Sequence, residues 1–122
     1  SPDGTKLVSG GYGSGSAPAW EAHNNPGEML VWDSVTGTKL LELKGHSKGV
    51  NSVIWSPDGT KIASGAGNPF SSAPGEIFIW EAAHGAKIME LKGHARAVTS
   101  LNWSPEGSKL ASASNDETVK IW

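Results

Sequence analysis

The chain has 122 residues, ten basic and twelve acidic side chains, a formal net charge of −2 and no cysteine. That is enough for one modest domain, and it excludes a disulfide framework and a thiolate metal site. Interspersed charges exclude an electrostatic nucleic-acid footprint and a polybasic membrane patch, and no apolar run approaches the ~20 residues of a membrane span.

In chain order, the first feature is the turn Ser1-Pro2-Asp3-Gly4. Pro at the second position suits the φ of a type I turn, with Gly at the fourth. A short β-like run, strand b, follows at Lys6–Ser9. A long connection, Gly10–Glu28, then leads to strand c at Met29–Trp32, the turn Asp33–Gly37 and strand d at Lys39–Leu43. The pair Gly45-His46 precedes strand a at Val50–Trp55. The order then recurs: Ser56-Pro57-Asp58-Gly59, strand b at Lys61–Ser64, the connection Ala66–Glu76, strand c at Ile77–Trp80, the turn Glu81–Gly85 and strand d at Lys87–Leu91. It recurs once more from Gly93-His94 through strand a at Val98–Trp103 and the turn Ser104-Pro105-Glu106-Gly107. Strand b at Lys109–Ser112, the turn Asn115-Asp116-Glu117 and strand c at Val119–Trp122 complete it. Runs of this kind, bounded by Gly, Pro, Asn and Asp, predict strands. The near-continuous apolar character of b and c predicts cover on both faces. Strand d alternates and predicts an outer, half-wet position.

Self-similarity at a fixed period defines repeat architectures. From Trp32 to Ser56 and from Trp80 to Ser104 the spacing is 24 positions in both cases. From each Ser-Pro turn to the next strand-c Trp it is 31, 24 and 18. All the length variation therefore lies in the b–c connection. The third repeat is the shortest and most regular copy.

These residues together resemble the WD-repeat (WD40-type) β-propeller family. The resemblance rests on Gly-His, strand a, Ser-Pro-Asp-Gly, strand b, an Asp-bearing turn and strand c ending in Trp-Asp. Only Trp32-Asp33 keeps the literal pair; the second repeat has Trp80-Glu81. The resemblance implies an all-β partial propeller of about three blades, with strands b c d, a b c d and a b c. The blade segments fall near 1–44, 45–92 and 93–122, as a segment of a larger ring. It also implies a buried hydrogen-bonded set: His94, Ser112, Asp116 and Trp122 in the third repeat, with His46, Ser64 and Trp80 in the second. The first matches only at Ser9 and Trp32. The expected Asp is replaced in the second repeat, so looser b–c ends are expected in the first two blades.

The resemblance implies a non-catalytic protein–protein interaction scaffold. Its b–c loops emerge on one face, and adjacent expanded loops should be neighbours there. Long loops on a rigid scaffold often carry binding. Candidate contact residues for a protein or peptide partner are Tyr12, Trp20, His23, Asn24, Asn68 and Phe70. The plainer alternative is that Trp20 and Phe70 fold back over their own loop bases. Further propeller blades, from the same chain or other copies, are the second expected partner, and a self-assembling propeller fragment is the alternative function. A three-blade arc leaves sheet faces and edges open, so a stable monomer is not expected.

No nucleic-acid, membrane, cofactor or metal function is expected, since no two of the four histidines stand at ligand spacing. The Ser-His-Asp set of the third repeat matches the family's structural set, and no separate oxyanion site is visible, so catalysis is not expected. Gly10-Gly11-Tyr12-Gly13-Ser14-Gly15 lacks the Lys of a phosphate loop and reads as a hinge. Lack of Cys and of a leader suggests the cytoplasm or another reducing compartment.

Overall fold

The structure is a computed structural model; it describes residues 1–13 and 18–122, and the side chains of Ala19 and Trp20 also lie outside the described residues. Among the described residues, ten strands form three antiparallel sheets. The first contains β1 (Lys6–Gly11), β2 (Glu28–Asp33) and β3 (Lys39–Leu43). The second contains β4 (Val50–Trp55), β5 (Lys61–Ala66), β6 (Glu76–Glu81) and β7 (Lys87–Glu90). The third contains β8 (Val98–Trp103), β9 (Leu110–Ser114) and β10 (Val119–Ile121). Each sheet is a chain-order meander, the arrangement of partial propeller blades. A single helical turn, α1 (Ala19–Ala22), interrupts the first long connection. It starts after Pro18, whose carbonyl accepts from the backbone N–H of Glu21 and Ala22.

The Ser-Pro turns close as their residue types require. Gly4, Gly59 and Gly107 have φ of 74°, 74° and 73°, a region that Gly enters without a Cβ penalty. Ser1 and Ser56 each donate a hydroxyl to the Asp two residues on, at 2.7 Å. Those carboxylates also accept from the next Thr. The serine hydroxyls then accept from the backbone N–H of Lys6 and Lys61.

Sheets pack face to face. Met29, Val31 and Leu43 of the first sheet meet Val50, Ile62, Phe78 and Trp80 of the second in one cluster. Ala63, Ile77 and Ile79 meet Val98, Leu101 and Leu110 of the third in another. Fully burying each of the larger aliphatic side chains contributes about 1.5–3 kcal/mol. Polar groups add register across the second junction: Asn51 donates to the carbonyls of Gly67 and Val98, and Ser52 Oγ accepts from the N–H of Leu101. Glycine permits the close approach. A Cβ on Gly10 or Gly65 would lie 2.6 Å from a methyl of Val50 or Val98, the first residue of the next inner strand.

Several expectations are sharpened or corrected. Strand b runs on to Gly11 and Ala66 in the first two sheets, because each close-packed glycine lies within the ladder. Gly10 and Gly11 are therefore strand residues rather than a hinge, whereas Ser14 and Gly15 lie outside the described residues. Cover on both faces holds for β5 and β6, which are almost wholly buried, but not for β1 or β10. Strand β7 is exposed along its length instead of half-buried.

Candidate functional site

In the third sheet, the indole N–H of Trp122 donates to Ser112 Oγ at 2.8 Å. Ser112 Oγ meets His94 Nε2 at 2.7 Å, and His94 Nδ1 meets Asp116 at 2.8 Å. Indole is only a donor and a carboxylate only an acceptor. The network therefore assigns the ring proton to Nδ1 and leaves Nε2 to accept from the serine hydroxyl. Asp116 also accepts from the backbone N–H groups of Ala95 and Thr118 and from the Thr118 hydroxyl. Bonds from Thr118, then from His94 and Ala95, outweigh desolvation and hold its carboxyl well below the ordinary range.

The second sheet repeats this set with a different carboxylate. Trp80 donates to Ser64 Oγ at 2.7 Å, and Ser64 Oγ lies 2.6 Å from His46 Nε2. The acceptor for His46 Nδ1 is Glu76, at 2.9 Å. Glu76 also accepts the backbone N–H and the hydroxyl of Ser47. Burial pushes its carboxyl up, but the bonds from His46 and Ser47 prevail and bring it below the ordinary value. The looser end expected for this blade is therefore corrected: a longer side chain at the start of β6 reaches the point that Asp116 reaches from a turn. In the first sheet, Trp32 donates to Ser9 Oγ at 2.9 Å.

The sequence does carry a signal for Glu76. Both expanded connections end in Pro-Gly-Glu, at Pro26-Gly27-Glu28 and Pro74-Gly75-Glu76, and the short third one does not. The glycine presses against the next sheet. A Cβ on Gly27 would lie 2.7 Å from Lys48 O, and one on Gly75 would lie 2.4 Å from Arg96 O.

The two expanded connections meet on one face. Asn68 donates its amide to Asn24 Oδ1 at 3.0 Å, and Gly49 N–H donates to the carbonyl of His23. The His23 ring stands edge-on to Tyr12, with centroids 3.8 Å apart, and to Phe70 at 5.6 Å. His23 is 6% exposed, Asn68 is buried, and Asn24 is exposed. His23 and Asn68, expected among the contact residues, thus hold the loops together from inside. Burial pushes the His23 imidazole down, favouring its neutral form. Tyr12 and Phe70 remain 47% and 71% exposed. Asn115, in the turn after β9, also reaches Pro69 O, at 3.4 Å. Trp20 is placed in α1, with its side chain outside the described residues.

The sequence family described as WD domain, G-beta repeat (WD40) matches residues 37–81 and 85–122, more than half of the chain. The chain belongs to the WD40 repeat family. Among similar proteins is the Periodic tryptophan protein 2 homolog of Dictyostelium discoideum, 46% identical over 39 residues. Periodic tryptophan protein 2 of Arabidopsis thaliana is 48% identical over 40 residues, and Coronin-7 of Mus musculus is 42% identical over 36. These matches cover 32%, 33% and 30% of this chain and 4% of each relative.

WD40 repeats are typically non-catalytic interaction scaffolds, and the geometry of the polar sets accords with that. The hydroxyl of Ser112 is buried and held between an indole and an imidazole, so an incoming carbonyl has no approach to it. The same holds for Ser64. The exposed His84 pairs with Glu81 at 3.2 Å. Among the described residues no group of three or more His, Asp or Glu side chains could hold a metal ion, and no helix is long and apolar enough to cross a membrane.

Proposed function

We propose that this WD40 segment binds a protein or peptide on the face formed by its two expanded b–c loops, without covalent chemistry. The observation that carries the reading is the joint loop core. His23, Asn24 and Asn68 tie the loops of adjacent sheets together, while Tyr12 and Phe70 keep large exposed areas beside them. Aromatic anchors on a braced surface lose little conformational entropy on binding. The braces at Glu76 and Asp116 fix the strand ends, so loop length can vary above a constant base.

The Phe70 ring contacts His23 edge-on yet stays mostly exposed, which supports a contact role over folding back onto its own loop base. The test selects peptides from a displayed random library on the immobilised chain. It then measures their affinity and the chain's melting for Tyr12→Ser and Phe70→Ser. The expected result is at least a tenfold loss of affinity with little change in melting. Unchanged affinity, or loss of melting alone, would overturn the reading.

A further inference from the structure

We infer that His23 is a pH-sensitive latch between the two expanded loops, closed while its imidazole is neutral and released when the ring takes up a proton. The geometry carries this inference. His23 stands where three segments meet: its own loop after α1, the turn before β4 and the loop between β5 and β6. Its carbonyl accepts from the N–H of Gly49, and its ring lies edge-on to both Tyr12 and Phe70. The next residue, Asn24, accepts from the Asn68 amide. Tyr12 in turn covers Gly49, where a Cβ would run into the Tyr12 ring. Displacing the imidazole therefore loosens both loops and the turn beneath them together.

The site makes no provision for a charge. His23 is more than nine-tenths buried, and its Nδ1 has no hydrogen-bond partner. The other two buried histidines differ. His46 and His94 each set Nδ1 against a carboxylate and Nε2 against a serine hydroxyl. Few ionisable groups surround His23. Its own connection carries Tyr12, Glu21 and Glu28. The turn before β4 carries Lys48, and Glu76 beside it is engaged by His46 and Ser47. The second loop carries none between Gly67 and Gly75. Among the described residues the ion pairs of histidine are those of His46, His84 and His94, so no acid pairs with His23.

A protonated imidazole has two N–H donors. Here the added proton would create a charge with neither water nor a carboxylate beside it, which is costly. Burial already pushes the imidazole down, in the same direction. In the released loop the ring meets water and binds a proton more readily than in the closed junction. The ratio of released to closed form is therefore constant above the ordinary histidine value of 6.5. Below that value it rises as pH falls, by up to about tenfold per pH unit, until the closed form itself titrates. The effect on a partner rests on the loop-face reading, since release would cost Tyr12 and Phe70 their fixed spacing; the latch itself needs no partner.

Tyr12 is the single tyrosine of the chain, so its ring signals in NMR report the junction directly. The test follows them in the full chain from about pH 8 to pH 5, together with the His23 imidazole signals and hydrogen exchange at the Gly49 amide. The inference expects one shared midpoint for Tyr12 and His23, below the ordinary histidine value. It expects Gly49 exchange, corrected for its intrinsic pH dependence, to quicken at least tenfold across that midpoint. His23→Phe keeps a ring without an ionisable nitrogen, and His23→Gln keeps a neutral polar side chain; in either, both changes should vanish. The parent titration decides by itself if neither variant folds. A Tyr12 signal or a Gly49 exchange rate that stays constant in the parent, a His23 midpoint at or above the ordinary value, or the same transition in His23→Phe or His23→Gln would each overturn it.

Discussion

Replacing Glu76 by Ala tests whether a strand-borne glutamate braces the second blade. The substitution removes three hydrogen bonds, two from Ser47 and one from His46 Nδ1. The Ser47 groups are exposed and return to water at little cost. His46 cannot do so, since its side chain is 1% exposed. A buried donor left without a partner costs about 1–3 kcal/mol, and a hydrogen bond to a charged group contributes about 1.5–3 kcal/mol. Glu76 itself keeps 21% side-chain exposure, which lets water recover part of the loss. The expected destabilisation is therefore about 2 kcal/mol, read from guanidinium unfolding followed by tryptophan fluorescence. Glu76→Asp should lose most of the same amount, because the shorter side chain starts from a fixed strand position. Glu28→Ala is the matched control and should stay within about 0.5 kcal/mol. Equal midpoints for Glu76→Ala and Glu28→Ala would refute the reasoning.

Three further outcomes follow from the same geometry. Glu76 has a native pKa below its unfolded value, so its stabilisation is complete above the unfolded pKa and is lost as pH falls through the native one. The acid arm of an unfolding titration should flatten in Glu76→Gln relative to the parent. Glu117 is the one non-glycine residue with positive φ among the described residues, at 66°. That conformation costs an L-residue roughly 1–2 kcal/mol, and glycine's extra chain entropy returns part of it, so Glu117→Gly should raise stability by about 0.5–1 kcal/mol in the same unfolding assay. Gly75→Ala would set a Cβ 2.4 Å from Arg96 O and 2.8 Å from Val98 N, both backbone atoms of the next repeat. It should cost about 1–3 kcal/mol by chemical unfolding.

The strand order was legible because two signals agree along the chain: Ser-Pro turns at fixed distance from each Trp, and apolar runs between glycines. The sets at His94 and His46 were legible up to their carboxylate. Glu76 is not legible from the third repeat, which carries its Asp in the turn, because Glu76 stands two positions nearer the strand-c Trp, on the strand itself. The last residues of β1 and β5 are not legible, because Gly10 and Gly65 look like breakers in one dimension. Only the facing Val50 and Val98 explain them. The burial of His23 is not legible, since nothing local indicates that Tyr12 and Phe70 close around it from opposite sides of a sheet junction. Helix α1 is a four-residue turn too short to leave a periodic signal.

The most direct test of the interaction reading compares two faces of the same scaffold. Peptides selected on the chain are measured against Tyr12→Ser/Phe70→Ser and against Val35→Ser/His84→Ala, whose residues are exposed in the c–d turns. The reading predicts at least a tenfold loss for the first pair and less than a twofold change for the second, with both variants melting like the parent. Equal affinity for the loop variant, or loss confined to the c–d turn variant, would contradict it.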